Sequence, residues 1–216
     1  MIKKTSSCLL QLLSVVFAFA ILVRIVRHFR KFPIPYFLTR LIDNPFRRRI
    51  QPPGRLAARH GIQPGLRVLE IGPGSGTYTL AAAERAGGEG SIVAMDIEPQ
   101  VLTRLKHRLV DEKANNIHLG LADVHHLPFS DGSFDRIFMV TVIGEIPQPV
   151  KALQEFRRVL REDGLLAFSE FWPDPDCPLP STIIRRANKA GFELVDHFKQ
   201  SLAYTLVLSK HVGHAA

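Results

Sequence analysis

A glycine-rich turn between a buried strand and a helix is the feature that most limits how this chain folds. The apolar run Val68–Ile71 leads into the turn, and Thr77 opens a helical pattern after it. Glycine stands at positions 72, 74 and 76, where the backbone must bend tightly and approach a ligand with no Cβ in the way. A ligand held by such a turn lies at the carboxyl end of the strand. The dinucleotide pattern G-x-G-x-x-G is absent, since Thr77 follows the third glycine.

From Gly61 onward, short apolar runs alternate with helical patterns. This alternation is typical of a parallel sheet with helices on both faces. We therefore predict an α/β fold, a Rossmann-like seven-stranded, mostly parallel sheet. The expected strands are Arg67–Ile71, Ser91–Asp96, Ile117–Leu121, Phe134–Val140, Leu165–Phe171, Phe192–Phe198 and Thr205–Lys210. The expected helices are Thr77–Arg85, Glu98–Glu112, Pro149–Leu160 and Ser181–Ala190.

The net charge of +8 is unevenly divided along the chain. Residues 1–60 hold three Lys and nine Arg against Asp43 alone, a net of +11. The remaining 156 residues hold 16 basic and 19 acidic side chains, a net of −3. Because the basic excess lies beside an apolar segment and outside the globular part, it favours anionic lipid over a nucleic-acid partner.

An uncharged run of nineteen residues, Thr5–Val23, is about long enough to cross a hydrocarbon core roughly 30 Å thick. We predict a membrane anchor with a basic juxtamembrane helix over residues 1–32, in which residues 5–32 contact the membrane. The heavier basic side follows the run, which indicates a single-pass membrane protein with its domain in the cytoplasm. Two alternatives stay open. A cleaved signal peptide could end at Ala18-Phe19-Ala20, and the helix could lie in the interface as a membrane-associated segment.

Residues 33–60 are predicted to form a linker or lid before a domain that spans residues 61–216. Pro33 and Pro35 break the preceding helix. A short aromatic and basic helix is expected within Ile34–Ile50, and Pro52-Pro53-Gly54 is expected to close it.

The glycine turn is the first of several motifs that resemble one enzyme family. Glu70-x-Gly72-x-Gly74-x-Gly76 resembles motif I of the class I S-adenosylmethionine-dependent methyltransferases. The motifs that follow it, over about residues 55–210, resemble the branch that includes the ubiquinone/menaquinone C-methyltransferases. They are Val93–Ile97, Leu121–Asp123, His126–Phe129, Asp131–Asp135, Ala152–Leu160 and Asp163–Leu166. The resemblance implies S-adenosylmethionine as the cofactor.

The strand ends supply the residues expected to hold the nucleoside of that cofactor. A carboxylate at Asp96 suits both ribose hydroxyls, because charge-assisted hydrogen bonds are stronger than neutral ones, and Ile97 is expected to pack on the adenine. By resemblance, Asp123 receives the adenine amino group and the Val124 amide meets a ring nitrogen. Taken singly, either aspartate could be only a turn or capping residue.

The methionine portion of the cofactor is expected at the glycine turn. Gly72 and Gly74 would line it, and Glu70 would orient the loop or its waters. Gly76 and Thr141 complete the predicted cofactor-binding set.

Glu145 is the first candidate for a catalytic base or substrate anchor. Methyl transfer is an in-line displacement, and a base is needed only when the nucleophile arrives protonated. The methyl group should point towards Met139–Pro147, where many relatives carry His-His and this chain has Gly144-Glu145. A plain loop carboxylate is the alternative. Glu170 is a second candidate for the pocket wall, and no metal is expected at His125 and His126.

Together these features predict S-adenosylmethionine-dependent methyl transfer to a lipophilic small molecule or lipid at the membrane surface. An NAD(P)-dependent oxidoreductase is the alternative enzyme, and a cofactor-binding but inactive membrane adaptor is the non-enzymatic one. The acceptor atom and the oligomeric state are left open by the sequence.

Overall fold

The computed structural model describes residues 43–112 and 114–211. The predicted anchor, residues 1–32, and residues 33–42 of the predicted linker lie outside these ranges. Within the described ranges, no helix is long and apolar enough to cross a membrane.

Seven strands form one sheet, as the sequence predicts. They are β1 (Arg67–Ile71), β2 (Ser91–Asp96), β3 (Ile117–Leu121), β4 (Phe134–Val140), β5 (Leu160–Phe171), β6 (Phe192–Lys199) and β7 (Ala203–Lys210). Their order is β3-β2-β1-β4-β5-β7-β6. The first five of these strands pair in parallel, and β7 runs antiparallel to both β5 and β6. The Rossmann-like, mostly parallel sheet is confirmed.

Six helices belong to the described part of the chain. They are α1 (Pro45–Ile50), α2 (Pro53–Arg59), α3 (Thr77–Ala86), α4 (Pro99–Asp111), α5 (Pro149–Val159) and α6 (Pro180–Lys189). The sequence predicts that Pro52-Pro53-Gly54 only closes a helix, but Pro53 begins α2. Proline suits the first helical position, where its missing N–H would have no intrahelical partner.

The core lies on both faces of the sheet, because successive residues of a strand point to opposite sides. On β4, Ile137 belongs to the apolar cluster that contains Phe156 of α5 and Ile183 of α6. The next residue, Phe138, belongs to the cluster that contains Leu56 of α2 and residues of α3. The helices therefore cover both faces, as a buried parallel sheet requires.

Strand β5 begins five residues earlier than the sequence predicts. Helix α5 ends at Val159 and passes directly into the strand, where Leu160 pairs with Phe134. The register then shifts between Phe134 and Arg136, so Leu165 pairs with Arg136. An irregular pairing of this kind depends on the neighbouring strand and leaves little signal in the local sequence.

Helix α2 lies before residue 61, in the segment predicted to be a linker, but it packs into the domain. Leu56 and Ala57 are buried against α3 and the sheet. His60, also buried, places Nε2 2.8 Å from the Ser169 hydroxyl of β5. Residues 53–60 are thus part of the same core as the sheet.

Gly76 fixes how the glycine turn packs on α4. Its φ of +81° is strained for any residue with a side chain, and an added Cβ would collide with Leu105 Cδ1. Leu105 is fully buried on α4, so it has no solvent-exposed space into which to retreat.

We expect Gly76→Ala to lower the free energy of unfolding by about 2–5 kcal/mol, because backbone strain and overpacking act together. Urea-induced unfolding measures the change. Gly54→Ala in α2 is the control, since an added Cβ there meets nothing within 4 Å, and it should stay within about 1 kcal/mol of the wild type. Equal losses in the two variants would contradict the packing role of Gly76.

Candidate active site

A cavity of about 280 Å³ opens at the carboxyl ends of β1, β2 and β4. This is the sheet edge where ligands bind in open α/β folds. Nine of the residues predicted from sequence line it: Glu70, Gly72, Gly74, Asp96, Ile97, Asp123, Val124, Thr141 and Glu145. Gly76 does not line the cavity, and its contact with Leu105 gives it a packing role.

Asp96 ends β2 with a carboxylate in the cavity wall. One oxygen, Oδ1, accepts the Glu98 amide hydrogen at 2.9 Å. Burial raises the pKa of Asp96 to about 6, against the lowering effect of that backbone hydrogen bond. Ile97 beside it is 56% exposed at the cavity. The ionised Asp96 carboxylate, a hydrogen-bond acceptor, lies next to the exposed apolar side chain of Ile97. This arrangement suits a ribose and the adenine attached to it.

The Asp123 carboxylate is hydrogen-bonded to His125, two residues further along the chain. Its Oδ1 accepts the His125 amide hydrogen at 2.9 Å and lies 2.6 Å from His125 Nδ1. The other ring nitrogen, Nε2, lies 2.8 Å from the Pro147 carbonyl, to which it must donate. The His125 backbone bond, and then its side chain, hold the pKa of Asp123 below its usual range. His125 therefore joins the loop after β3 to the loop after β4.

The glycine turn forms a cradle with one tight side and one open side. A Cβ at Gly72, where φ is +68°, would lie 2.6 Å from Val142 Cγ2 in the loop after β4. A Cβ at Gly74 would meet no protein atom within 4 Å. The turn is thus pressed against the protein at Gly72 and leaves space for a ligand at Gly74, which fits the methionine portion of the implied cofactor.

Glu70 is a buried carboxyl group in the wall of this cradle. Its Oε2 has no hydrogen-bond partner among the described residues. Burial raises the pKa of Glu70 to about 8, and the nearby Asp96 carboxylate adds to the shift. At neutral pH the group is mostly protonated, and its unpartnered oxygen is one that a ligand can satisfy.

Thr141 follows β4 in a strained backbone conformation, with φ at +56°. Such strain in a β-branched residue is costly and occurs most often at functional sites. Its hydroxyl donates to the Val140 carbonyl at 2.8 Å and accepts from Arg47 Nη2 at 2.7 Å. The end of β4 is therefore fastened to helix α1.

Sequence reasoning missed two cavity residues: Arg47 of α1, and Asp43, which precedes the N-cap Asn44 of that helix. Hydrogen bonds from Arg48, Ser75 and Thr77 lower the pKa of Asp43 to about 2, although burial alone would raise it. The available signal was Asn44-Pro45, a helix start whose Asn44 side chain accepts the Arg47 amide hydrogen at 3.0 Å.

The two candidate carboxylates beyond β4 have different surroundings. Glu145 lines the cavity, and its amide donates to the Val142 carbonyl at 2.9 Å. Glu170 is buried behind the cavity wall and does not line it. Burial raises the pKa of Glu170 well above its usual range. Of the two, Glu145 alone is placed to meet a ligand. Within the described residues, no three His, Cys, Asp or Glu side chains are grouped to hold a metal ion.

Comparison with known proteins agrees with this geometry. Residues 62–211 match the family described as a methyltransferase domain. An arsenite methyltransferase from Halobacterium salinarum is 27% identical over 117 residues, which cover 54% of this chain and 30% of that protein. A ubiquinone/menaquinone biosynthesis C-methyltransferase from Teredinibacter turnerae is 36% identical over 112 residues, which cover 51% of this chain and 45% of the relative. The chain thus spans less than half the length of either curated relative.

A solved structure of a SAM-dependent methyltransferase from Aquifex aeolicus has the same fold, with a TM-score of 0.77. It is 19% identical to this chain, and the match covers 82% of this chain and 98% of the other. The fold is that of a solved S-adenosylmethionine-dependent methyltransferase, and the family model describes residues 62–211 as a methyltransferase domain. This chain belongs to the methyltransferase-domain family.

We expect binding of S-adenosylhomocysteine to weaken as the pH falls below about 6. Protonated Asp96, with its pKa of about 6, no longer offers two acceptor oxygens to the ribose hydroxyls. One linked proton corresponds to a loss of up to about tenfold in affinity per pH unit. Calorimetric titrations across this range measure it. Asp96→Asn should bind weakly with little pH dependence, while Asp111→Asn, an exposed acid at the end of α4, should behave as the wild type. An unchanged pH profile in Asp96→Asn would exclude Asp96 as the titrating group.

A second prediction concerns Glu70 and stability. The folded pKa of about 8 exceeds the usual 4.5, so only the unfolded chain ionises between these values. The free energy of unfolding should therefore fall as the pH rises from about 4.5 to about 8, by about 3–5 kcal/mol from this group. Urea unfolding of Glu70→Gln should show a slope smaller by this amount, while Asp96 and Glu170, whose pKa values are also raised, still contribute. The exposed Glu84→Gln on α3 should keep the wild-type slope, and a wild-type slope in Glu70→Gln would contradict the contribution of Glu70.

Proposed function

We propose that this protein transfers a methyl group from S-adenosylmethionine to a lipophilic acceptor, a lipid or a quinone-like molecule, at a membrane surface. The observation that carries the proposal is the position of α1. Its Arg47 lines the cavity together with Asp43, which precedes the helix, and the 42 residues before Asp43 contain the predicted single-pass anchor. In this proposal the predicted membrane segment precedes the cofactor site along the chain, and the domain lies on the cytoplasmic side.

The outer surface of α1 supports contact with a membrane. Phe46 is 59% exposed, and Arg49 is exposed on the same helix. An aromatic side chain together with a cation suits the headgroup layer of an anionic bilayer.

The residues of the cavity divide into two ends. Asp96 and Ile97 would hold the ribose and adenine, with Asp123 and Val124 beside them. Gly72 lets the turn lie against Val142, and Gly74 leaves the backbone open to the methionine portion. When bound, S-adenosylmethionine supplies a sulfonium-activated methyl group. The protein aligns the acceptor and excludes water from this end of the cavity.

The acceptor would enter where the loop after β4 forms the wall. Val142, Ile146 and Pro147 give this wall an apolar surface, and Glu145 is its ionisable side chain. A carboxylate in this place can accept the proton of a hydroxyl or an acidic C–H as the bond to the methyl group forms.

The two kinds of relative favour different acceptors. Arsenite is a thiophilic acceptor that is best held by cysteine thiolates. The sequence has two cysteines, and the described one, Cys177, is buried away from the cavity lining. The apolar wall of the cavity favours an apolar organic acceptor.

The family assignment favours methyl transfer over the NAD(P)-dependent alternative. The inactive membrane adaptor differs from an enzyme in one measurable respect, since it binds the cofactor without turnover. A transfer assay on the full chain separates the two.

We expect the full chain, with vesicles prepared from a lipid extract and methyl-labelled S-adenosylmethionine, to move label into the organic phase. Asp96→Ala should abolish transfer. Glu145→Gln should slow it by about 100- to 10,000-fold if Glu145 acts as a base. The exposed Glu89→Gln is the matched control and should be as active as the wild type. Binding of S-adenosylhomocysteine without any transferred label would support the adaptor instead, and full activity of Glu145→Gln would remove Glu145 from the mechanism.

A further inference from the structure

The loop after β4, residues 141–148, has a strained backbone at both ends. Thr141 begins it with φ at +56°, and Gln148 ends it with φ at +45°. In the part of the chain that the structure describes, no other residue apart from glycine has a positive φ. Such conformations persist only where neighbouring groups hold them in place. Arg47 donates to the Thr141 hydroxyl at 2.7 Å and holds the first end, so the second end depends on a different contact.

His125 supplies the contact at the second end. Its Nε2 lies 2.8 Å from the Pro147 carbonyl oxygen, which belongs to the peptide bond between Pro147 and Gln148. Its Nδ1 lies 2.6 Å from Asp123 Oδ1. The His125 side chain is 11% exposed, and the residue lines the cavity. One imidazole ring therefore joins the loop proposed to hold the adenine to the loop that forms the proposed acceptor wall.

Both partners of the His125 ring are hydrogen-bond acceptors. The Pro147 carbonyl has no hydrogen to donate. The Asp123 carboxyl is ionised at neutral pH, because the His125 backbone bond, and then its side chain, hold the pKa of Asp123 below its usual range. A neutral imidazole carries one N–H and satisfies only one of these contacts, whereas an imidazolium carries two. The two contacts are therefore complete together only when His125 is protonated.

We propose that His125 is a positioning residue whose protonated ring holds the acceptor wall against the cofactor loop. This inference rests on the proposed function, because that function assigns the two loops to acceptor and cofactor. When the ring loses one proton to water, the charge-assisted bond to Asp123 is the stronger of the two and is kept. The bond to Pro147 is lost, and two lone pairs then face each other. Gln148 relaxes, and the wall at Ile146 and Pro147 moves away from the cofactor.

Other ionisable groups surround the His125 bridge and must be separated from it. They are His126 on the same loop, Glu145 after β4, Asp96 and Glu98 after β2, Glu70 of β1, Glu155 and Arg158 of α5, and Arg47 of α1. Asp96, with a pKa of about 6, and Glu70, with a pKa of about 8, titrate in the pH range in which histidines titrate. Their effects persist when His125 is replaced, so the difference between the wild type and a His125 variant isolates the bridge.

Methyl transfer from labelled S-adenosylmethionine into vesicles of the lipid extract tests the bridge on the full chain. His125→Phe keeps a planar ring without donors, and at about pH 6 it should transfer about tenfold more slowly than the wild type, which is the effect of one lost hydrogen bond. As the pH rises to about 8, the wild-type rate should fall towards that of the variant. His125→Arg keeps a permanent cation with several donors. It should recover part of the rate and lack this fall.

Binding of S-adenosylhomocysteine separates the acceptor wall from the cofactor loop. The His125 amide donates to Asp123 Oδ1 at 2.9 Å, and this backbone bond survives a change of side chain. Affinity for S-adenosylhomocysteine in His125→Phe should therefore stay within about threefold of the wild type. His118→Phe is the matched control, because His118 is an exposed histidine of β3, and it should bind and transfer as the wild type does. His125→Gln, which reaches one partner at a time, replaces His125→Phe if that variant does not fold.

Nitrogen-15 solid-state NMR of the full chain, labelled at its nine histidines, measures the protonation of the ring without any turnover. The signals that are absent from His125→Phe belong to His125. At about pH 6 both of its ring nitrogens should carry a hydrogen. The loss of one hydrogen with rising pH should have the same midpoint as the fall in the wild-type transfer rate.

Three results would overturn the bridge. In the first, one His125 ring nitrogen carries no hydrogen even at about pH 6. In the second, His125→Phe transfers label at the wild-type rate. In the third, His125→Phe weakens S-adenosylhomocysteine binding as strongly as it slows transfer, as general damage to the cavity would do. Failure of the proposed function looks different, because the wild type would then bind S-adenosylhomocysteine, show two protonated His125 nitrogens and transfer no label.

Discussion

Close packing of the glycine turn is the constraint on which the rest of the site depends. At Gly72 the turn approaches Val142 so closely that a Cβ would lie 2.6 Å from it, and at Gly76 a Cβ would strike Leu105. These contacts lock the turn against the loop after β4 on one side and against α4 on the other. The open side at Gly74 is what remains for a ligand. The cradle is thus closed at Gly72 and Gly76, where a side chain cannot fit, and open at Gly74.

Burial away from water gives the carboxyl groups of Asp96 and Glu70 different pKa values and therefore different roles. Burial raises the pKa of Asp96 to about 6 and that of Glu70 to about 8. At neutral pH, Asp96 is therefore mostly ionised and accepts hydrogen bonds, while Glu70 is mostly protonated and can also donate one. Two carboxyl groups in one cavity thus present an acceptor and a donor, because they are buried to different degrees.

The sequence predicts those parts of the structure that depend on local patterns. Strands β1 to β4 have the predicted bounds, because each is a short apolar run between turn residues. Asp96 and Asp123 reach the cavity because the carboxyl ends of parallel strands share one edge. Arg47 is different, since three consecutive arginines look alike in sequence and only the packing of α1 buries the first of them. The prediction that Glu170 forms part of the pocket wall fails for a related reason, because its burial depends on distant residues: Tyr204 of β7 pairs with it, and Gln51 donates to its carbonyl.

Helix α1 ties the two halves of the proposed function together physically. Asp43 is bound to Ser75 and Thr77 of the glycine turn, and Arg47 is bound to Thr141 at the end of β4. The same six-residue helix is the first described element after the predicted anchor. A ligand in the cavity would lie next to Arg47 of this helix. Displacing α1 would break the Arg47–Thr141 hydrogen bond at the end of β4, and moving Asp43 just before it would break those to Ser75 and Thr77 in the glycine turn.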